Sequence, residues 1–194
     1  MAVANTKSLA DSMVIGITGH PASGKDSAAD FFAAKGFQTL SGGNVLREMM
    51  HREGLSVDRT SMREFTKRMR TQRGNAFPAE EIASQITEQN TVISGLRNLA
   101  ELEIFRKKFG SNFILLAIDA DVEVRYERVL GRKRAGDDLT LERFKEEEDA
   151  ERMEPSGSHE VDRVIAVADH VIKNNGTREE FFEKLGLFLE NIPR

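Results

Sequence analysis

The chain has no cysteine, no tryptophan, one tyrosine and only four prolines in 194 residues. Without cysteine there is no disulfide framework, no thiolate nucleophile and no zinc–thiolate site. That absence fits a reducing, cytoplasmic setting. No apolar run approaches the roughly 20 residues that a membrane-spanning helix needs, so no membrane partner is expected. Residues 1–12 are polar and lack the apolar core of a signal peptide, so they read as a flexible N-terminal extension. The formal net charge is only −4, which leaves nucleic acid without the large positive field that would attract it. Repeats and low-complexity tracts are also missing. What remains is 39% hydrophobic and 31% charged, the balance of a globular chain with one core over residues 13–194.

The densest signal is the stretch Val14-Ile15-Gly16-Ile17-Thr18-Gly19-His20-Pro21-Ala22-Ser23-Gly24-Lys25-Asp26-Ser27. An apolar, β-branched run leads into Gly19-x-x-x-x-Gly24-Lys25, and an amphipathic helical pattern follows. This is the phosphate-binding P-loop (Walker A) pattern in the context it requires. Gly19 and Gly24 allow the backbone to turn and to approach oxygen closely. The amides of about residues 21–27 form a nest, the helix start adds its positive end, and Lys25 supplies an ammonium for the outer phosphates. Residues Gly19 to Ser27 are thus the predicted nucleotide-binding segment. One position departs from the pattern. Asp26 stands where a magnesium-binding Ser or Thr normally follows the lysine, and Ser27 comes one later. A carboxylate suits Mg²⁺ directly or through water, so Asp26 is the predicted metal residue. A dipole partner in the first helical turn is the plainer reading of the same residue.

Apolar runs then alternate with helical periods. Strands are expected at residues 13–18, 37–40, 91–94, 113–118 and 170–173. Helices are expected at 25–34, 43–54, 60–73, 79–89, 99–109, 122–130, 141–153 and 177–189. Thr177 with Glu180 forms the capping box of the last one. The alternation predicts an α/β fold, a five-stranded parallel sheet with helices on both faces. Ligands in such sheets sit at the carboxyl ends of the strands. Two insertions flank that end: residues 41–89, a helical acceptor-binding lobe, and residues 131–153, a basic, glycine-containing lid region.

Arginines recur near the predicted crevice. Arg47 opens the first insertion behind Asn44, and Arg97 follows the third strand in Ser94-Gly95-Leu96-Arg97. Together they are placed to clamp a phosphate dianion. Arg97 reads equally well as a helix-start residue paired with Glu101. Arg128 and Arg132 share a helix face leading into the lid. Phosphoryl transfer needs such positive charge and exclusion of water, although a basic helix end also complements its own dipole. The acidic helix of residues 142–149 reads mainly as a solvated face. His20 reads as a backbone-shaping or solvent-facing residue rather than a base. Met49, Met50, Met62 and Met69 fit helix packing or an apolar acceptor wall.

Taken together, these segments resemble the nucleoside monophosphate kinase group of P-loop proteins. The nearest likeness is to the adenylate-kinase-related and dephospho-coenzyme A kinase-like family known mainly from archaea. Gly43-Asn44-Val45-Leu46-Arg47 looks like that family's Gly-Asp-x-x-Arg acceptor segment. Ser94-Gly95-Leu96-Arg97 is similar to its Asp-Gly-x-Arg segment, and Glu127-Arg128-x-x-Gly131-Arg132 to its lead into the lid, followed by Asp137-Asp138. Asn174-x-Gly176-Thr177 looks like the loop beside the nucleotide base. The resemblance implies an ATP- and Mg²⁺-dependent kinase for a nucleoside or deoxynucleoside monophosphate, or a related acceptor such as dephospho-coenzyme A. Under it, Lys25, Arg97 and Arg132 carry catalysis. Asn44, Arg47 and Arg97 hold the acceptor, and Arg128 and Gly176 border the base. Asn44 and Ser94 replace two family aspartates, which leaves Asp26 as the compensating carboxylate. The alternative is a nucleotide-binding switch or assembly factor with slow ATPase activity and a protein partner.

Overall fold

The computed structural model describes residues 12–87, 89–132, 140–152 and 160–192. Its sheet is built from β1 (Val14–Thr18), β2 (Gln38–Ser41), β3 (Thr91–Ser94), β4 (Phe113–Asp119) and β5 (His170–Lys173). All pairings are parallel, in the order β2-β3-β1-β4-β5. The expected α/β architecture is therefore present. β1 is central: Val14 pairs with Thr91 on one side and with Phe113 on the other. The chain leaves β1 toward β3 and β2 and later crosses to β4 and β5. The carboxyl end of β1 is thus the topological switch point where such sheets bind ligands.

The side-chain alternation of β1 divides the core between two faces. Ile15 and Ile17 turn to one face, where they join Val92, Leu116 and Ile118 under α1 (Lys25–Ala34) and α9 (Arg178–Asn191). Phe32 of α1 is fully buried there, edge-on to Phe31 and Phe188. Val14 turns to the other face with Ile93, Leu102, Phe105, Leu115 and Val164. That layer is covered by α4 (Phe77–Gln85), α5 (Leu99–Phe109) and α8 (Val161–Ala166). α8 has no counterpart among the expected helices, because its six residues are too few to display a period.

The first insertion folds into α2 (Gly42–Arg52), α3 (Arg59–Arg73) and α4. Its own small core joins Met50, Phe65, Met69 and Phe77, flanked by Met49 and Met62. The methionines pack as helix contacts. Caps set the helix starts. Ser41 accepts from the Asn44 amide at 3.2 Å, Asp58 from the amides of Thr60 and Ser61, and Asn98 from that of Glu101. The hydrogen bonds from Ser61 and Ser56 hold the Asp58 carboxyl down at about 2. Thr177 and Glu180 form the expected capping box.

On the other side of the site stand α6 (Val122–Arg132) and α7 (Leu141–Arg152). Of the predicted N-terminal extension only Ser12 is described, and it is buried at the foot of β1. No helix of the described residues is long and apolar enough to cross a membrane.

Candidate nucleotide and acceptor site

β1 delivers the chain to a tight loop. The Ser23 amide donates to the His20 carbonyl at 3.2 Å, closing a turn around Pro21 and Ala22. Ala22 sits at φ +59°, a left-handed position that usually goes to glycine. Gly19 is at φ +144°, and a Cβ there would lie 2.2 Å from the Ile118 carbonyl. Gly24 is at φ +111°, where a Cβ would lie 2.4 Å from Asn174 Nδ2. Both glycines are required by conformation and by crowding. α1 begins at Lys25, so its first amides open toward the loop. Lys25 Nζ donates to the carbonyls of Gly19 at 2.8 Å and His20 at 2.7 Å, which arches the side chain over the loop. Ser23 Oγ is buried and has no hydrogen-bond partner among the described residues.

Two side chains brace this loop from behind. Asn174, buried after β5, donates to the Ser23 carbonyl at 2.7 Å. Arg128 donates to the carbonyls of Ala22, Ser23 and Asn174 at 3.4, 3.3 and 3.0 Å. The Arg128 guanidinium thus holds the P-loop carbonyls. Gly176 lies two residues beyond Asn174, exposed in the same loop. Arg132 closes α6, but its side chain, like Asp137 and Asp138, lies outside the described residues.

Arg125 is the residue that sequence reading missed. It is 4% exposed and forks onto Glu148, itself 8% exposed. Its Nη2 meets Glu148 Oε2 at 2.9 Å, while Nη1 meets Oε1. Nε donates to Ala120 O at 3.0 Å, and the guanidinium lies over the Phe144 ring. The α7 carboxylates thus do not all form a solvated face: Glu148 is drawn inside, where its charge compensates the buried guanidinium. The signal for it was the placing of Phe144 and Glu148 four residues apart, on one side of α7. At the mouth of the crevice Lys173 bridges Asp119 and Asp121, each at 2.8 Å. The contact holds the Asp121 carboxyl below its ordinary range and raises the Lys173 ammonium.

Of the two readings of His20, the backbone-shaping one fits, since its carbonyl accepts from Ser23 and Lys25; its ring is largely buried, and its Nε2 lies 3.0 Å from Asp162 Oδ1 of α8. The same end of α8 holds the next loop: the Glu160 amide donates to the Arg97 carbonyl at 2.8 Å, and the Leu99 amide to Glu160 Oε2 at 3.3 Å.

Across the crevice, Ser94-Gly95-Leu96-Arg97 leaves β3 beside the P-loop. The Gly95 and Leu96 amides both donate to Ile17 O, and Thr18 Oγ1 donates to Leu96 O at 2.8 Å. Arg97 therefore emerges exposed at the carboxyl end of the strand next to β1. Its pairing with Glu101 runs through the backbone: the Arg97 amide donates to Glu101 Oε2 at 2.8 Å. Glu101 is buried, and burial pushes its carboxyl up, against the pull of Arg97 and Arg70. It lines a small cleft with Gly42, Pro78, Ile82, Ser94 and Gly95, between the helical lobe and the sheet. Arg47 is exposed on α2 and donates to Asn44 Oδ1 at 2.7 Å. Asp26 is exposed in the first turn of α1. No group of three metal-ligating side chains occurs among the described residues.

Comparison with known proteins gives the family. Residues 18–145 match the AAA domain model AAA_17. A UPF0200 protein of Sulfurisphaera tokodaii is 35% identical over 180 residues, covering 92% of this chain and 97% of that protein. The chain belongs to the UPF0200 family. An Archaeoglobus fulgidus protein described as UPF0200/UPF0201 is 33% identical over 186 residues, and the chain spans only 56% of its length. Among solved structures, shikimate kinase from Acinetobacter baumannii in complex with shikimate overlays with a TM-score of 0.62, at 17% identity, covering 97% of this chain and 99% of that one. Dephospho-CoA kinase from Campylobacter jejuni overlays at 0.54 and 15% identity, covering 92% and 96%. At such identity the likeness is one of fold. This UPF0200 chain has a P-loop kinase-like fold.

Proposed function

We propose that this UPF0200 protein is a phosphotransferase that moves the γ-phosphoryl group of ATP to a small phosphorylated acceptor. A nucleoside or deoxynucleoside monophosphate is the first class, and dephospho-coenzyme A the next. The observation that carries the reading is the pairing of two loops. The P-loop with Lys25 leaves β1, and Arg97 leaves the adjacent β3 at the same end of the sheet. Transfer between two bound phosphates needs little more than such positioning and charge.

The residues present fit a polyphosphate. The left-handed turn at Ala22 and the crowded glycines leave a backbone cradle, and Ser23 Oγ is a buried hydroxyl facing no protein partner among the described residues. Lys25 would exchange its two carbonyl contacts for phosphate oxygens. Mg²⁺ keeps much of its water and needs only one or two carboxylates beside phosphate oxygens. Asp26 would supply one, and the metal when bound neutralises charge on the phosphates. Arg97 and Arg47 would hold the acceptor phosphate. Arg128 and Asn174 keep the P-loop carbonyls turned back, so its amides stay toward the ligand.

ADP formation from Mg-ATP, measured against a panel of nucleoside monophosphates, deoxynucleoside monophosphates and dephospho-coenzyme A, tests the reading. We expect turnover with one acceptor class. Arg97→Ala is expected to lower acceptor-dependent kcat/KM by about 100-fold, the loss of a charge-assisted phosphate contact. ATP binding with no acceptor-dependent turnover would reject it. Asp26→Ser is expected to raise the Mg²⁺ concentration needed for half-maximal rate; an unchanged Mg²⁺ titration would remove Asp26 from the metal site.

A further inference from the structure

The loop that leaves β1 and the loop that leaves β3 are tied together at their roots. There Thr18 Oγ1 donates to Leu96 O, and the Gly95 and Leu96 amides donate to Ile17 O. Further out, both loops bond to one short segment, residues 160–162 at the start of α8. On the P-loop side the His20 side chain is 13% exposed, and its Nε2 lies 3.0 Å from Asp162 Oδ1. On the other side the Glu160 amide donates to Arg97 O at 2.8 Å, and Glu160 Oε2 accepts from the Leu99 amide at 3.3 Å. One helix start thus grips the residue after Gly19 and the arginine assigned to the acceptor.

This helix start has little order of its own. α8 has six residues, too few for a helix to hold itself. Its N-cap residue, Glu160, makes no side-chain capping bond. The Glu160 carboxylate goes to Leu99 and Arg163 instead. Val164 pins the second half of α8 in the core, fully buried, whereas the Asp162 side chain is about half exposed. The first turn therefore takes its shape from the two loops it holds.

His20 is also where a nucleotide would act. Its carbonyl accepts from the Ser23 amide at 3.2 Å and from Lys25 Nζ at 2.7 Å. When Lys25 turns to a phosphate, that carbonyl loses the ammonium. The His20 peptide then relies on the turn bond and on its ring against Asp162. A proton on Nε2 makes the ring bond in neutral imidazole and in imidazolium alike.

We infer that Asp162, acting through His20, is a positioning residue: the first turn of α8 couples the P-loop to the Arg97 loop, so that nucleotide bound at one tightens the acceptor at the other. The inference rests on the kinase reading for the identity of the acceptor side. Ordering the first turn of α8 costs conformational entropy once. Whichever ligand binds first orders it, and the second then binds more tightly by the same factor in either order.

The test measures initial rates of the full chain while Mg-ATP and the acceptor that supports turnover are both varied. The rates give the factor by which bound ATP tightens the acceptor. Being a ratio, it does not depend on the fraction of folded protein, so a merely structural loss leaves it unmoved. The native protein is expected to show a factor of about five or more. Asp162→Ala is expected to leave the two substrates binding independently, with little change in melting temperature because the side chain is half exposed. His20→Ala is expected to do the same to the factor. His20→Gln, whose amide nitrogen reaches Asp162 much as Nε2 does, is expected to keep most of it. Independent binding in the native protein overturns the inference. So does a factor that survives Asp162→Ala, which makes the contact an ordinary surface pair and leaves the kinase reading standing. Absence of turnover with every acceptor rejects the kinase reading, and the inference falls with it.

Discussion

Replacing Glu148 by alanine is expected to cost about 3–5 kcal/mol of stability, because it leaves the guanidinium of Arg125 buried without its counter-charge. Arg125 is 4% exposed, hemmed in by the Phe144 ring and the Ala120 carbonyl. Water reaches it only if α7 moves away. The loss corresponds to a melting midpoint lower by roughly 6–20 °C for a domain of this size. Arg125→Met combined with Glu148→Leu is expected to recover most of that loss, since two apolar groups of similar size remove the desolvation cost together with the attraction. A thermal melt of the two variants beside the native protein decides it. A single variant that melts within a degree or two of the native protein would show that α7 is not anchored through this pair. The pair also reaches the nucleotide side: Arg125 Nη1 lies 3.5 Å from the Pro21 carbonyl of the P-loop. A displaced α7 therefore loosens the loop, and weaker ATP binding is expected to accompany the lower stability.

The second large effect falls on chemistry rather than folding. Lys25→Ala is expected to lower ATP turnover by about 10²–10³-fold, the scale for removing one charged donor from a site of developing negative charge. Lys25 holds the carbonyls of Gly19 and His20 at hydrogen-bond distance, so the side chain already lies above the cradle. Its substitution is expected to change the melting temperature little, because the loop keeps the bonds from Asn174 and Arg128. Lys25→Arg is not expected to restore the rate. A broad planar fork cannot take the place of a compact ammonium against the loop carbonyls. Steady-state ATP turnover and nucleotide binding, read side by side with melting curves, separate the roles. Equal loss of rate and of stability would make Lys25 a structural residue.

The site was legible in parts, and the reason differs from part to part. The P-loop is a local object: its strand, turn glycines, lysine and helix start lie within fourteen consecutive residues, so their order alone defines the shape. Arg97 was legible because it directly follows a strand, and a strand end in a parallel sheet lies at the crevice. The contacts of Arg128 were not legible, since part of what it meets comes from a loop 46 residues further along the chain. Arg125 and Glu148 carried only the weak signal of Phe144 and Glu148 on one side of α7, and nothing in one helix says which partner will be buried against it. Likewise His20 and Asp162 lie 142 positions apart, and only the packing of a six-residue helix against the sheet joins them.

By itself the sequence determined the class of fold and the place of the P-loop, because strand and helix periods and the P-loop are properties of neighbouring residues. It also determined that the chain carries no thiol chemistry. Tertiary structure alone decided which charges are buried and paired, and which carbonyls Arg128 and Lys25 hold. Those depend on the distance between residues remote in the chain and on how much water each pair excludes, and neither quantity exists until the layers have packed.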